Sequence, residues 1–303
     1  MRKVIIDCDP GHDDAVALIL AIKNPNIDVL GVTIESGNQT LEKTANNANN
    51  ILNFLGSDMP IALGASKPLN RDNLICPEIH GESGLDGYTF PKYKSNYIDE
   101  HATDFIIKTC LENDKVTILT CGPLTNVALA ILKDKNILTH IDEIISMGGS
   151  TGEGNMSPYA EFNILCDPEA ADIVFNSGVK IKMIGLNVTR RILVLPKILE
   201  KAQLIYSNTS KLFIDLMNVF NKNQQGFFGL EAAPLHDPVT VISAISDDVI
   251  KFEKMKIEVA ITHDEYYGQT KCIPVDVDTD IKTYVAVDVD IDKYWDIVLD
   301  CLK

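Results

Sequence analysis

The sequence lacks the features that mark several large classes of protein. Its 27 lysines and arginines are outnumbered by 43 acidic residues, for a net charge of -16, which excludes a general affinity for nucleic acid or anionic membranes. No apolar run is long enough to span a bilayer. Neither a signal-peptide core nor a cleavage site follows Met1, so the expected location is the cytoplasm.

The cysteines do not indicate a cross-linked scaffold. The seven cysteines are scattered, odd in number and contain no Cys-x-x-Cys pair. That pattern indicates reduced thiols and excludes both a disulfide framework and a zinc site.

What the sequence does contain is an early alternation of strand and helix patterns over 303 residues, 46% of them hydrophobic. This alternation predicts an α/β fold, with helices on both faces of an open, mostly parallel sheet. No linker or repeat interrupts it, so a single domain covering residues 1–303 is expected. The predicted strands include 4–6, 27–34, 61–63, 116–120, 143–147, 180–186, 256–262 and 284–287.

The stretch VIIDCDPGHDDAVALILAI, residues 4–22, is the most informative part of the chain. A β-branched run ends before Asp9, Pro10-Gly11 breaks it, and a helix begins with Asp13 and Asp14. Carboxylates crowded at the carboxyl end of a strand repel one another unless a cation or a proton offsets them. Ca²⁺, which prefers several oxygen ligands, fits this group; a solvated helix start is the alternative.

Other polar segments are expected near the same edge of the sheet. His80 lies in a long irregular segment, 64–96, and Asp237 is well placed as the N-cap of a late helix. The segment 223–229 has the composition of a mobile lid with glycine hinges. Such a site suits a neutral polyol, such as a sugar, bound beside a cation.

Three motif-like stretches are set aside. The glycine-rich residues 148–154 lack the Lys-Ser/Thr end of a phosphate loop. The acidic residues 275–280 lack the glycine and late glutamate of a calcium loop, so a strand with an acidic face is predicted instead. Asp7-x-Asp9 resembles a dehalogenase-type phosphatase nucleophile, but Pro10-Gly11 stands where that chemistry wants Thr or Val.

Taken together, the motifs resemble the inosine-uridine preferring nucleoside hydrolase family over nearly the whole chain. Each motif is weak alone, but their order is highly specific. They are residues 9–15 (DPGHDDA), 37–38, 80–81, 122–126, 147–149, Asn155, 160–163, 167–171 and 236–237.

The resemblance implies hydrolysis of the N-glycosidic bond of ribonucleosides such as inosine, uridine and cytidine, giving ribose and a free base. It also implies that Asp9, Asp14, Asp237 and the backbone carbonyl of Cys121 bind one Ca²⁺. The family usually has Thr at position 121, a departure that a carbonyl ligand tolerates. Asp9 would activate the calcium-bound water, and nearby carboxylates would stabilise an oxocarbenium-like transition state.

The remaining site residues also come from the resemblance. His236 is the candidate acid for the departing base, with a purely structural histidine as the alternative. His80 is expected to contact the base, with an ordinary exposed loop histidine as the alternative. From the residues alone, Phe162, Phe227 and Phe228 are expected to stack on a base unless they are core residues, and Gln224 or Gln225 to hydrogen-bond a pyrimidine edge. Four other histidines, His12 among them, are expected on the surface. The predicted ribose contacts are Asp13, Asn38, Met147, Asn155, Glu161 and Asn163.

The partner implied is a small ribonucleoside, with the chain forming a homodimer or homotetramer. A calcium-dependent nucleoside- or ribose-binding protein without turnover is the alternative function. The presence of both Asp9 and His236 argues against that alternative.

Overall fold

The computed structural model describes residues 1–276 and 278–303. Among these residues, ten strands form one sheet, which confirms the predicted α/β class. The strands are β1 (Arg2–Cys8), β2 (Ile27–Ile34), β3 (Ile61–Leu63), β4 (Tyr97–Ile98), β5 (Val116–Thr120), β6 (Ile141–Met147), β7 (Ile181–Ile184), β8 (Ile250–Val259), β9 (Thr270–Pro274) and β10 (Thr283–Val289).

Helices cover both faces of the sheet, and one turn of 3-10 helix lies at Lys135–Thr139. No helix within the described ranges is both long and apolar enough to cross a membrane. The α-helices are α1 (His12–Lys23), α2 (Leu41–Phe54), α3 (Pro77–His80), α4 (Ala102–Glu112), α5 (Thr125–Lys133), α6 (Phe162–Cys166), α7 (Pro168–Phe175), α8 (Leu186–Thr189), α9 (Pro196–Gln203), α10 (Asn208–Phe228), α11 (Pro238–Ile245) and α12 (Ile291–Cys301).

The strand order is β4-β3-β2-β1-β5-β6-β7-β10-β8-β9. The pairs from β4 to β7 and the pair β7–β10 are parallel, whereas β8 runs antiparallel to both β10 and β9. Parallel strands place their carboxyl ends at one edge, so the loops after β1, β2, β5 and β6 meet there.

The central strand β1 shows why this sequence forms a two-sided sheet. Val4 and Ile6 pack into the core on one face, and Ile5 packs into the core on the other. Consecutive side chains of a strand point to opposite faces, so a continuous apolar run suits a strand that is covered on both sides. Helices α1, α2, α11 and α12 cover the first face, and α4, α5 and α7 cover the second.

Three local predictions were wrong. Residues 223–228 form the last turns of α10, not a loop, and Gly229 ends that helix in the left-handed conformation with φ of 68°. The late strand expected at 256–262 begins six residues earlier, at Ile250, and pairs with β9, which was not predicted. The described residues of 275–280 form a loop between β9 and β10; Val277 lies outside the described residues.

Candidate active site

The site is an open cavity at the carboxyl edge of the parallel strands. It brings together residues from loops that are distant in sequence, as the resemblance implied. Two of the predicted site residues, Asp9 and Asp14, lie behind its wall. The predicted residues that line it are Asp13, Asn38, His80, Cys121, Met147, Asn155, Glu161, Phe162, Asn163, Phe228, His236 and Asp237.

Carboxylates from two helix starts converge beside the cavity. Asp13 and Asp14 lie in the first turn of α1, and Asp237 immediately precedes α11. One oxygen of each of these three residues lies within 4.8 Å of the others. Asp237 is the N-cap residue of α11, as predicted, but its side chain makes no capping bond; its carboxyl group lies beside those of Asp13 and Asp14 instead.

Asp9 lies beside this group but is not one of those three residues. It follows β1 directly and is completely buried. The backbone N–H of Asn38 donates to Oδ2 of Asp9 at 2.6 Å. A Cβ on Gly37 would lie 2.0 Å from that same oxygen, which explains why glycine precedes Asn38.

Asn38 ties two of the carboxylates together. Its Nδ2 donates to Oδ2 of Asp14 at 2.9 Å and to the backbone carbonyl of Asp9 at 3.2 Å. Both amide hydrogens are therefore directed to the acidic group, and the side-chain oxygen of Asn38 is the atom left for a ligand.

Burial raises the pKa of every carboxyl group in this cluster. The pKa of Asp13 rises to about 8, through burial and then through the charge of Asp14, and that of Asp14 rises to about 6, mainly through burial. Burial and neighbouring charges also hold the pKa of Asp9 and of Asp237 well above the usual range. Four ionised carboxylates are therefore not tolerated here without a cation.

The donor set fits a hard cation. Within the described part of the chain, no hydrogen bond reaches the buried Oδ1 atoms of Asp9, Asp13 and Asp14. Buried oxygens without partners are costly, and several carboxylate oxygens in one place are what Ca²⁺ coordinates. Asp13 is close enough to Asp14 and Asp237 to share a metal ion with them, although the resemblance implied that Asp13 contacts the ribose.

Cys121 follows β5, and its backbone and side chain face different partners. Its carbonyl accepts a 2.9 Å hydrogen bond from Nδ2 of Asn163, and its sulfur lies 3.4 Å from Oγ1 of Thr240. Nδ2 of Asn163 also donates to the carbonyl of Met147 at 3.2 Å. As with Asn38, the side-chain oxygen of Asn163 is left for a ligand.

Glu161 lines the cavity and caps the amino end of α6. Its Oε1 accepts from the backbone N–H of Asn163 at 2.9 Å, and its Oε2 accepts from Gly149 at 2.9 Å and Ile164 at 3.0 Å. Burial nevertheless raises its pKa. Asn155 is held nearby, because its Oδ1 accepts from the backbone N–H of Phe162 at 2.9 Å.

Aromatic rings and two histidines also line the cavity. His80 is buried and His236 is half-buried, and removal from water lowers the pKa of His236 to about 3 and that of His80 well below its usual value. Phe228 lines the cavity, whereas Phe227, the other stacking candidate on this helix, is 49% exposed and lies outside it. Gln224 also lines it.

His12 was expected on the surface, and that prediction was wrong. It is fully buried, its backbone N–H donates to Nδ1 of His80 at 3.2 Å, and its Nε2 lies 2.8 Å from the carbonyl of Asp86. Its ring stacks on Phe220 with 5.1 Å between centroids. Phe220 also lines the cavity and was not predicted, because an apolar helix position normally marks core packing.

Comparison with known proteins identifies the family of the chain. The family model for inosine-uridine preferring nucleoside hydrolases matches residues 4–296. The pyrimidine-specific ribonucleoside hydrolase RihB of Shigella flexneri is 40% identical over 304 residues, covering all of this chain and 97% of that protein. RihB from Escherichia coli O17:K52:H18 matches equally well.

Solved structures show the same relationship. The purine-preferring ribonucleoside hydrolase from Gardnerella vaginalis superposes with a TM-score of 0.92 at 30% identity, over 99% of this chain and 98% of that one. The plant nucleoside hydrolase PpNRh1 gives a TM-score of 0.91 at 31% identity, with the same coverage. The chain belongs to the inosine-uridine preferring nucleoside hydrolase family.

Proposed function

We propose that this enzyme cleaves the N-glycosidic bond of pyrimidine ribonucleosides, uridine and cytidine, with water, and inosine more slowly. The observation that carries the proposal is a cavity lined by two chemically different groups of side chains. Carboxylates and amides form the first group, and histidines, phenylalanines and Gln224 form the second. A ribonucleoside offers ribose hydroxyls to the first group and a base to the second.

The carboxylates are proposed to hold one Ca²⁺. Its ligands would be Asp9, Asp14, Asp237 and the backbone carbonyl of Cys121. The Oδ1 atoms of Asp9 and Asp14, buried without partners among the described residues, support this assignment. A bound Ca²⁺ supplies positive charge that offsets the carboxylates and lowers the pKa of water.

Asp9 is proposed as the base that takes a proton from the attacking water. Its Oδ2 is held by Asn38, whereas its Oδ1 has no partner in the described part of the chain and is free to accept. As the bond to the base breaks, positive charge develops on the sugar, and the nearby carboxylates stabilise this oxocarbenium-like state.

The ribose is proposed to lie between the acidic cluster and the wall formed by Met147, Asn155 and Glu161. The side-chain oxygens of Asn38 and Asn163 accept from its hydroxyls, because their amide hydrogens are already directed to protein oxygens. Fixed acceptors of this kind orient the sugar before reaction.

The base is proposed to lie against Phe162 and Phe228, with His80 and His236 as polar contacts. His236 donates to the departing base, whose negative charge grows as the bond breaks. The preference for pyrimidines is supported by Gln224, whose amide suits a pyrimidine edge, and by 40% identity to relatives named pyrimidine-specific.

The test measures ribose released from uridine, cytidine and inosine by the purified protein with Ca²⁺ and without phosphate. Asp9→Asn serves as the matched control for the catalytic base. Release of ribose by the wild type alone supports the proposal. Binding of uridine without release would support the alternative, a calcium-dependent nucleoside-binding protein. The proposal includes a cytoplasmic location and assembly as a dimer or tetramer. Analytical sedimentation of the purified protein measures the oligomeric state.

A further inference from the structure

His236 lines the cavity, and Thr189 contacts its ring through a hydrogen bond. Nδ1 of His236 is 2.7 Å from Oγ1 of Thr189, the last residue of α8. Thr189 is completely buried. Its backbone is also held, because its N–H donates to the carbonyl of Gly185 at 3.1 Å and its carbonyl accepts from Ile192 at 3.0 Å. The hydroxyl is therefore fixed in place relative to the ring.

The hydrogen of the Thr189 hydroxyl decides which nitrogen of His236 carries the proton. Among the described residues, Nδ1 of His236 is the single hydrogen-bond partner of that hydroxyl. If Nδ1 carried a proton and donated it, the buried hydroxyl hydrogen would have no acceptor, at a cost of about 1–3 kcal/mol. If the hydroxyl donates to Nδ1, both groups are satisfied, and the proton of the neutral ring resides on Nε2.

We propose that Thr189 is a positioning residue that keeps the proton of neutral His236 on Nε2, the nitrogen directed away from Thr189 and available to a bound base. This inference rests on the proposed function, in which the departing base lies beside His236. His236 lines the cavity. In an imidazole ring one carbon separates Nε2 from Nδ1 and the two nitrogens point in divergent directions, so the hydroxyl on Nδ1 leaves Nε2 accessible. The ring thus offers a fixed N–H donor to an acceptor atom of the base.

The chemical consequence concerns the leaving group. Negative charge grows on the acceptor atoms of a pyrimidine or purine as the glycosidic bond breaks, so a fixed donor stabilises the transition state more than the ground state. With the other tautomer, Nε2 would present a lone pair to the same atoms and repel them. Thr189 should therefore affect kcat more than KM.

The experiment compares Thr189→Val, which removes the hydroxyl at nearly constant shape, with Thr189→Ser, which keeps it. Thr283→Val is the matched control, because Thr283 is also buried and donates to the carbonyl of Met255 at the amino end of β10. Each variant is assayed on uridine and on p-nitrophenyl riboside, whose leaving group needs no donor. The ¹⁵N NMR shifts of His236, assigned by their loss in His236→Gln, report the tautomer.

We expect Thr189→Val to lower kcat for uridine about tenfold with little change in KM, and to leave p-nitrophenyl riboside within about twofold. Thr189→Ser and Thr283→Val should match the wild type. The NMR shifts should show the Nε2–H tautomer in the wild type and in Thr189→Ser, and its partial loss in Thr189→Val.

Equal losses on both substrates, or an unchanged tautomer in Thr189→Val, would overturn the role of Thr189. The NMR measurement does not require turnover. A wild type that releases no ribose but shows the Thr189-dependent tautomer would therefore refute the proposed function and leave the positioning of the ring supported.

Discussion

The backbone N–H of Asn38 donates a 2.6 Å hydrogen bond to Oδ2 of Asp9, and Oδ1 of Asp9 has no partner within the described residues. One carboxylate oxygen is thus used to fix the orientation of Asp9, and the other is available for chemistry. The two residues come from loops after adjacent parallel strands, β1 and β2. The edge of the sheet therefore sets the orientation of Asp9, the proposed general base.

Replacing Asp9 with Asn should lower kcat for uridine by at least about 100-fold, because proton transfer by a well-placed base contributes about 10²–10⁴-fold. The same change should weaken Ca²⁺ binding, since one charged ligand is lost. Steady-state assays and calorimetric titration with Ca²⁺ measure the two effects. Asp142→Asn, at an exposed position on β6, is the control. Retained turnover in Asp9→Asn would remove Asp9 from the role of base.

Removing the ring of His236 tests its contact with the leaving base. His236→Ala should reduce kcat for uridine by about 10²-fold or more, but kcat for p-nitrophenyl riboside far less. His263→Ala, a change at an exposed histidine, should alter neither. Equal losses on both substrates would mean that His236 acts on the shape of the site and not on the leaving group.

Short-range signals in the sequence were sufficient for the central strands and for the acidic cluster. β2 and β5 match their predicted bounds because β-branched runs end at clear turn residues. The strand β8, by contrast, alternates charged and apolar residues over much of its length, and its start at Ile250 depends on pairing with β10 and β9 on either side. Such pairing is a long-range property that local pattern does not contain.

The same distinction separates the site residues that were predicted from those that were missed. Asp9, Asp14 and Asp237 stand in short motifs that mark them. His12 is buried because His80 and Phe220, 68 and 208 positions away, close over it. Thr189 was missed for the same reason, since its contact with His236 spans 47 positions.

Calcium binding should strengthen as pH rises. In the metal-free enzyme, burial raises the pKa of Asp14 to about 6 and that of Asp13 to about 8, so both carry protons in weakly acidic solution. Ca²⁺ requires ionised carboxylates, so binding must displace these protons. The apparent affinity for Ca²⁺ should therefore increase from about pH 6 to about pH 8. The number of protons released on binding can be measured by calorimetric titration in buffers of different ionisation enthalpy.

Stability of the metal-free protein should show the opposite trend. A carboxyl group whose pKa is raised by folding stabilises the fold below its unfolded pKa, and this contribution is lost as pH rises through the folded value. Below about pH 6.5 the buried histidines oppose this trend, because burial lowers the pKa of His12 to about 4 and that of His236 to about 3. The melting temperature without Ca²⁺ should thus fall between about pH 6.5 and about pH 8, and the increase on adding Ca²⁺ should be largest at the alkaline end. A melting temperature that rises over that range would contradict the raised pKa values.

Gln224 provides the sharpest test of base preference, because its neighbour Gln225 serves as a matched control on the same helix. Gln224 is buried in the wall of the cavity, whereas Gln225 is exposed to solvent. Gln224→Leu keeps a similar side-chain size but removes the hydrogen-bonding amide, so kcat/KM for uridine should fall about tenfold relative to inosine. Gln225→Leu should leave that ratio unchanged. Equal changes for uridine and inosine in Gln224→Leu would show that this side chain shapes the cavity without reading the base.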